Sequence, residues 1–420
     1  MTVLTRRGGL LREPVFRTYW SAHVVSLVGE QISYIALPLL AVLTVGAGPA
    51  EMGYLTAAAL IPNLLFSLAA GAWVDRRPIK RHIMIVADLA RAGLLLIVPV
   101  LAFAGILELW HLYVIAFLTG TLTLFFEVAN QSLFASVVRR DDYIGANSLL
   151  NGARAMSYVA GPSAGGLLVQ AITAPFALIA DAVSYLGSAF LLLRIRPDES
   201  AAVSTPDSGS GKGGVLGGLR FIARSAVLRS LLLGVTVLNL FNYVFHALFI
   251  LYVTTTLGLS PGQLGVLIGA ASVGGLLGAA VTGPLTRRFG VGPVAIAGFV
   301  LFPLPLVLVP LATGGEPVVM AMIFAAEFLS SIGLMMLDIA VGSLQTAATP
   351  LTRLSLVSGA KRTVNYGVRP LGALLGGFLG ETIGVHPTIW IASVGAVTGT
   401  LFVLFSPIPH LRELPDQPEH

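Results

Sequence analysis

The sequence predicts an all-α integral membrane protein in which twelve transmembrane helices form two pseudo-symmetric six-helix bundles. Three observations support this fold class: an apolar composition, twelve long apolar segments, and a repeat that relates the two halves of the chain. Of the 420 residues, 55% are hydrophobic and only 11% are charged. A soluble domain carries about 25% charged residues. We therefore expect lipid rather than water to cover most of the surface.

The apolar segments are long enough to cross a bilayer, because a hydrocarbon core about 30 Å thick needs roughly 20 residues of α-helix. The predicted spans lie near residues 17–45, 52–74, 82–105, 110–137, 146–170, 175–196, 229–256, 262–285, 292–312, 317–346, 358–382 and 387–406. Every second connector carries arginine, whereas the connectors between them carry neither arginine nor lysine. Basic connectors tend to stay on the cytoplasmic side, so this alternation predicts that both termini are cytoplasmic.

The connector after the sixth span divides the chain into three predicted parts. They are an N-terminal six-helix bundle (1–197), a cytoplasmic linker (198–228), and a C-terminal six-helix bundle with a cytoplasmic tail (229–420). The stretch from Pro197 to Gly214 is rich in Ser, Gly, Asp and Pro, which is typical of a flexible linker. Leu216, Leu219 and Ile222 then recur at helical spacing and predict a short amphipathic helix on the inner membrane surface. The alternative is a simple extension of the seventh span.

The two halves of the chain repeat at a nearly constant offset. A shift of 211 residues places Gly161 on Gly372, and a shift of 212 places Gly71 on Gly283. Asp75 falls on Arg287, so the second copy lacks this acid. Two parallel six-helix repeats are a transporter architecture, with the substrate site at their interface near the bilayer midplane.

A charged turn between the second and third spans carries the first family signal. Gly71, Asp75 and Arg76 form a Gly-x-x-x-Asp-Arg pattern, and Arg81 is one of the basic residues that follow. This turn resembles the loop between the second and third helices of the major facilitator superfamily. The hypothesis that follows is a conformational latch formed by these four residues. Asp75 would hold the halves together in the outward-open state by accepting hydrogen bonds near the start of the eleventh span.

Further motifs narrow the resemblance to one branch of that superfamily. They are Phe16-Arg17 with Trp20, Asp88-Leu89-Ala90-Arg91-Ala92, Ala146-Asn147-Ser148-Leu149, Gly161-Pro162 and Gly218-Leu219-Arg220-Phe221-Ile222. Together they resemble the macrolide-efflux and enterobactin-exporter-like proteins. The resemblance implies proton-driven export of drugs or secondary metabolites.

Carboxyl groups inside the spans are the candidates for proton coupling, because an unpaired charge there is expensive. They are Glu30, Glu127, Glu327 and Asp338. Glu30 lies roughly 20 Å along the first span, near the midplane. It could take up and release a proton, or it could be a neutral, hydrogen-bonded structural acid. Glu127 and Asp338 are related by the repeat. For them the alternative is two buried ion pairs, one in each half, with partners from Arg91, Arg154, Arg362 and Arg369.

Polar residues within the spans are the candidates for substrate binding. They are Asn130, Gln131, Asn239, Asn242, His246 and Gln345. The alternative is that they form interhelical hydrogen bonds worth under about 1 kcal/mol each. Glycines at four-residue spacing, among them Gly161/Gly165 and Gly372/Gly376, predict close helix contacts that flex or slide during transport.

Several classes of function are disfavoured by the sequence. The chain has no cysteine, which excludes thiolate metal sites, and we expect no cofactor. The net charge is +5, but the basic residues flank the apolar spans, which indicates a role in membrane topology rather than nucleic-acid binding. Gly161 to Gly165 matches a Gly-x-Ser-x-Gly nucleophile elbow, but apolar helix flanks it, so the match is coincidental and we do not expect an enzyme.

The sequence thus predicts a secondary transporter that exports hydrophobic or amphiphilic compounds in exchange for protons. Its partners would be a small molecule, protons and the lipid bilayer, and we expect a monomer in a bacterial inner (plasma) membrane. Arginine outnumbers lysine by 22 to 3, which is typical of a GC-rich bacterial source. The alternatives are export of a siderophore or other metabolite, uptake of a nutrient, or a membrane receptor that does not transport.

Overall fold

The chain is almost entirely helical in a computed structural model, which describes residues 9–195 and 214–414. The predicted linker up to residue 213 and the last residues of the tail lie outside this description. The α-helices are α1 (Pro14–Leu40), α2 (Pro49–Asp75), α3 (Lys80–Phe103), α4 (Leu109–Val137), α5 (Tyr143–Ile172), α6 (Ala174–Arg194), α7 (Gly214–Arg224), α8 (Ala226–Leu251), α9 (Pro261–Phe289), α10 (Val291–Leu301), α11 (Leu308–Leu311), α12 (Glu316–Ala347), α13 (Leu354–Ile383) and α14 (Val385–Leu404).

The twelve predicted spans correspond to these helices, with α10 and α11 together forming the ninth. A 3-10 turn at Leu304–Val307 separates α10 from α11, because Pro303 and Pro305 remove backbone donors that a continuous helix needs. Among the described residues, nine helices are long and apolar enough to cross a membrane, and α2, bent by 58° between Ser67 and Ala69, makes a tenth.

The remaining two spans, α5 and α13, are less apolar. Helix α5 carries Arg154, and α13 carries Lys361, Arg362 and Arg369, and both helices are rich in glycine. These helices face the opposite bundle and the space between the bundles rather than lipid alone. Their polar residues therefore do not have to be solvated by hydrocarbon.

The two bundles contact each other through helices that the repeat relates. Helix α5 packs against α9, and α13 packs against α2. The offset of 211 or 212 residues converts α5 into α13 and α2 into α9. The interface therefore consists of two copies of the same helix pairing, as expected for a pseudo-symmetric pair of bundles.

The hydrophobic core distinguishes the two ends of the molecule. We define the basic end by the connectors that carry Arg76, Arg139, Arg288 and Arg353, and the opposite end as the distal end. At the distal end a single cluster of buried apolar residues continues from Ile35 of α1 to Phe245 of α8. Toward the basic end the core separates into one cluster in the first bundle and another in the second. The bundles are thus joined at the distal end and separated at the basic end.

Glycine allows the bundles to touch at the distal end. A Cβ atom added to Gly53 of α2 would lie 2.7 Å from the Cα atom of Gly377 in α13. A Cβ atom added to Gly166 of α5 would lie 2.8 Å from the Cα atom of Gly265 in α9. Both distances are too short for any side chain, so both contacts require glycine. We call these two contacts the distal seam.

The other glycine pairs that the sequence singled out lie mostly inside one bundle. Gly161 and Gly165 face α1, and Gly372 and Gly376 face α8. In α5 and α13 it is the next residue, Gly166 or Gly377, that faces the other bundle. The prediction of close contacts therefore holds, but two of the four-residue glycine rows serve packing within a bundle.

The predicted amphipathic helix is α7, and it is separate from the seventh span. Ser225 interrupts the helix in an extended conformation, and its hydroxyl accepts a hydrogen bond of 3.4 Å from the Leu228 backbone to cap α8. The apolar face of α7 packs on α13, where Ile222 meets Val357 and Ala360. A simple extension of the span is thereby excluded.

Candidate functional site

A cavity of about 600 Å³ lies between the two bundles and opens toward the basic end. One side, here the amino-terminal wall, is built by α1, α3, α4 and α5, and the other, the carboxy-terminal wall, by α12 and α13. Ser358 and Gln345 line it near the basic end, whereas Glu30 lies about 24 Å along α1 from Pro14. The cavity therefore reaches the middle of the membrane.

The amino-terminal wall carries two carboxyl groups that face the cavity. Glu30 and Glu127 both line it, together with Arg154. The charges of Arg91, Glu127 and Arg154 act on Glu30 from neighbouring helices. Among the described residues, no basic nitrogen lies within 4 Å of either carboxylate. Both acids are thus open to the cavity and uncommitted to an ion pair.

Arg91 is fixed in this wall by a different acid from the one expected. Its guanidinium donates a hydrogen bond to Asp88, one turn earlier on α3, and a second of 3.1 Å to the Thr123 hydroxyl. It also lies 4.1 Å from the ring centroid of Tyr185. Arg91 is therefore in a buried ion pair, as one alternative expected, but its partner is Asp88 at i, i+3 on the same helix rather than Glu127 on another helix.

A second polar group lies behind the amino-terminal wall. Asp181 of α6 is fully buried and accepts hydrogen bonds from Ser33 and, at 3.1 Å, from Ser184. It also acts electrostatically with Glu30 and Arg91. These two serine hydroxyls satisfy the buried Asp181 carboxyl group.

The carboxy-terminal wall is a single polar stripe on α13. Ser358, Lys361, Arg362, Asn365, Tyr366 and Arg369 line the cavity at helical spacing. Arg362 lies 5.2 Å and Arg369 lies 4.8 Å from the ring centroid of Tyr366. The Nε atom of Arg369 and the Oδ1 atom of Asn365 are buried without a partner in the described part of the chain. The charged residues that line this wall are all cations, whereas the opposite wall carries both acids and arginines.

The C-terminal half also lacks the ion pair that was expected for it. Asp338 of α12 acts electrostatically on Lys361 and Arg369, but it forms no ion pair within 4 Å among the described residues. Its side chain is exposed, so water can solvate it. Arg154 and Arg362 are likewise exposed and, within the described residues, unpaired. The prediction of one buried ion pair in each half is therefore wrong for the second half.

Glu327 lies deeper, beyond the cavity toward the distal end. Its Oε1 atom is buried and has no hydrogen-bond partner within the described residues. Tyr34 of α1 lies within its electrostatic reach, so Glu327 sits at the interface between the bundles. It therefore stays a candidate for proton coupling that is separate from the cavity.

The predicted substrate-binding residues divide into two groups. Asn130, Gln131 and Gln345 line the cavity. Asn130 also accepts a hydrogen bond of 2.7 Å from the Tyr19 hydroxyl, so it fixes α1 to α4 as well. The α8 residues are not part of the lining in this conformation. Asn239 donates to Val235 of its own helix, Asn242 Oδ1 is buried and unpartnered among the described residues, and His246 contacts the Phe245 ring.

The charged turn at the basic end is not closed in this conformation. The Asp75 carboxylate is exposed and, in the part of the chain described, forms no ion pair with the adjacent arginines. Gly71 faces open space. Arg81 donates to the backbone carbonyl of Ile195 at the end of α6. The latch predicted for the outward-open state therefore stays a prediction.

Lys361, Tyr366 and Asp88 are among the site residues that the sequence analysis did not assign. The signal for the first two was the polar stripe of α13, which repeats at 3 and 4 residues between 358 and 369. The signal for Asp88 was its position three residues before Arg91. Both signals are spacings of three or four residues on a helix. A count of charged residues does not reveal them.

Comparison with known proteins agrees with this arrangement. A family profile described as transmembrane secretion effector matches residues 9–420. The multidrug efflux pump Tap of Mycolicibacterium fortuitum is 27% identical over 98% of this chain and 98% of its own length. The uncharacterized MFS-type transporter YfiS of Bacillus subtilis is 25% identical over 89% of this chain and 90% of its own length.

Solved structures share the fold at lower sequence identity. A bacterial homologue of the iron transporter ferroportin, in an inward-facing state, matches with a TM-score of 0.74 and 17% identity, over 94% of this chain and 99% of that one. A bacterial homologue of the lysosomal transporter Spinster, inward-facing and occupied, has a TM-score of 0.70 and 14% identity, over 94% and 97%. At such identity the likeness establishes the fold alone.

Proposed function

The chain belongs to the transmembrane secretion effector family of the major facilitator superfamily, and we propose that it exports hydrophobic or amphiphilic compounds in exchange for protons. Membership of this superfamily makes it a multi-pass membrane transporter of small molecules and not an enzyme. The names of its curated relatives support the export direction for this chain, because several are multidrug efflux pumps.

The observation that carries the proposal is the pair of uncommitted carboxyl groups, Glu30 and Glu127, in a cavity that reaches mid-membrane. A carboxyl group that is open to the cavity can exchange a proton with it, whereas one held in an ion pair stays ionised. We assign the coupling step to Glu30. It lies deep in α1, and the charges of both a cation and a second acid act on it. Protonation of Glu30 would favour one conformation, and release of that proton into the cavity would favour the other.

The cycle we propose places the basic end in the cytoplasm, as the distribution of arginine suggests. The conformation described is then inward-open, with the distal seam closed and the cavity ready to accept a substrate from the cytoplasm or the inner leaflet. Opening of the distal seam and closure at the basic end would release that substrate outside. Asp75 would become a latch only in that second state.

The test is transport of an amphiphilic dye by purified protein in proteoliposomes under an imposed pH gradient. Wild-type protein should move the dye against its concentration gradient, and collapse of the pH gradient should stop this movement. Glu30→Gln retains size and hydrogen bonding but cannot release a proton, so it should bind the dye and fail to accumulate it. Glu413→Gln, at an exposed carboxyl outside the spans, is the matched control and should behave as wild type. Uphill transport by Glu30→Gln would make Glu30 structural and leave Glu327 or Asp338 as the candidate proton carrier.

A further inference from the structure

The carboxy-terminal wall lines the cavity with cations and no acid, whereas the amino-terminal wall presents two acids and two arginines, and this difference constrains what the cavity can bind. We infer that the carboxy-terminal wall is an oxyanion site, which holds a carboxylate or similar acidic group of an amphiphilic substrate. The inference rests on the proposed function only in taking the ligand to be the transported molecule. It narrows the substrate class from any amphiphile to one with an acidic group.

The cations of this wall lack a counter-ion among the described residues. Lys361, Arg362 and Arg369 all line the cavity, and among the described residues none has a carboxylate within 4 Å. Asp338 acts on two of them from a longer distance. Arg369 lies about 22 Å along α13 from Leu354, near mid-membrane, where an unpaired charge is costly. An anionic ligand would offset that cost.

A contrast within the same cavity supports the argument. Arg91 is buried and has a dedicated acid, Asp88, within hydrogen-bonding distance, as well as the Thr123 hydroxyl. These partners fix Arg91 in the amino-terminal wall, where its role is structural. Arg362 lies against the Tyr366 ring, and Arg369 lies against the rings of Tyr366 and Tyr243 and also hydrogen-bonds the Tyr243 side chain. Neither has an acid as a dedicated partner, and the Nε atom of Arg369 stays available to a ligand.

The geometry of these two arginines suits an oxyanion. Tyr366 lies between them on the same helix face, with both guanidinium groups within 5.2 Å of its ring centroid. Contact with an aromatic face leaves the edge of a guanidinium free, and that edge matches the two oxygens of a carboxylate. The buried Nε atom of Arg369 lacks a partner in the described part of the chain, and it is one such donor. The Tyr366 ring adds apolar surface for the body of an amphiphile.

The opposite wall limits the charge of the ligand. Glu30 and Glu127 face the cavity from the amino-terminal side and would repel a second anionic group. They would accept hydrogen bonds from a hydroxyl or ammonium group of the same molecule. The cavity is therefore suited to a compound with one acidic group, or to a zwitterion, and poorly suited to a lipophilic cation without an acid.

Binding of three matched probes to the purified full chain in nanodiscs tests the inference. The probes are a dansyl-tagged undecanoic acid, its methyl ester, and the corresponding primary amine, which share one apolar body. Energy transfer from tryptophan to dansyl reports binding. We expect the acid to bind about tenfold more tightly than the ester, as one hydrogen-bonded charge would give. Equal binding of acid and ester to the wild-type protein would overturn the inference.

Substitutions then locate the site. Arg362→Gln and Arg369→Gln should each weaken binding of the acid by about tenfold and leave the ester unchanged. Arg369→Glu should reverse the preference toward the amine. Arg287→Gln, at an exposed arginine at the basic end outside the cavity, should change nothing. Retention of the full preference for the acid by both cavity variants would place the oxyanion elsewhere and overturn the inference. Arg369→Lys, which retains the charge, should preserve part of the preference if Arg369→Gln does not fold.

The transport assay separates failure of this inference from failure of the proposed function. Gradient-driven export of the methyl ester without any preference for the acid would refute the oxyanion site and support the transporter. A clear preference for the acid without gradient-driven transport of any probe would support the site and refute proton-coupled export.

Discussion

The distal and basic ends of the molecule are built in opposite ways. At the distal end, Gly53 meets Gly377 and Gly166 meets Gly265, so backbones touch and one apolar core crosses both bundles. At the basic end, the core is divided and charged side chains face a cavity. The apolar contacts at the distal end stabilise the closed arrangement there, whereas the charged cavity at the basic end binds water and ligand.

The difference suggests how a transporter of this kind can have two states of similar free energy. At the α5–α9 contact of the distal seam, Gln170 also accepts hydrogen bonds from the Gly262 backbone and the Ser260 hydroxyl, so opening of the seam costs these bonds as well as packing. The basic end offers Asp75 and its neighbouring arginines, which are exposed and can form new contacts when that end closes. Each of the following changes alters one end and leaves the other intact.

The largest effect should come from blocking the distal seam. Gly166→Leu introduces a side chain where even a Cβ atom would lie 2.8 Å from the Cα atom of Gly265. The inward-open state should become inaccessible, and transport in proteoliposomes should fall to background. Gly152→Leu, on the same helix at a glycine that faces open space, is the matched control and should transport normally. Normal transport by Gly166→Leu would show that the seam does not have to close.

A large effect on stability should follow from removing the acid that fixes the amino-terminal wall. Asp88→Asn leaves the buried Arg91 guanidinium without its counter-ion, which costs about 3–5 kcal/mol in comparable buried pairs. Thermal unfolding in detergent should shift to clearly lower temperature. Asp142→Asn breaks the exposed pair with Arg139 at the same i, i+3 spacing and should leave the unfolding temperature close to that of the wild type, because water screens this pair. Equal shifts for the two variants would contradict the structural role given to Asp88.

A smaller effect is expected at the predicted latch. Asp75 has no ion-pair partner among the described residues in the present conformation, so Asp75→Asn should not destabilise this conformation. It should destabilise the outward-open state by the loss of one charged hydrogen bond and slow turnover by about tenfold. Expression and binding of probes should stay at wild-type levels. Asp141→Asn, another exposed acid at the basic end, is the control, and wild-type turnover by Asp75→Asn would refute the latch.

The topology itself can be tested with epitope tags in the connectors. Epitope tags at Pro49, Glu108 and Glu316, all at the distal end, should be reached by antibody from outside intact cells. Tags at the C-terminus and at Ser208, in the predicted linker, should be reached only after permeabilisation. A Ser208 tag that is accessible in intact cells would contradict the proposed orientation.

Apolar length and charge distribution were sufficient to predict the spans, because the thickness of the bilayer sets span length and basic connectors alternate with uncharged ones. The repeat followed from the nearly constant offset between matching residues of the two halves. These features were not sufficient to predict ion pairs. Arg91 could have met Glu30, Glu127 or Asp88, and only the packing of α3 against α4 and α6 decides among them. The seam glycines show the same limit. Gly165 and Gly166 are adjacent in sequence, and rotation of α5 decides which one faces the other bundle.

The central claim is that the two ends open alternately, and labelling of single cysteines tests it most directly. The chain has no cysteine, so Ser358→Cys in the cavity and Ser163→Cys at the α5–α9 contact report on one end each. A membrane-impermeant maleimide should label the first from the cytoplasmic side and leave the second unreactive. Addition of Gly53→Leu, which blocks the remote α2–α13 contact, should make Cys at 163 reactive from outside and protect Cys at 358. Opposite changes at the two positions would support alternating access, and parallel or absent changes would contradict it.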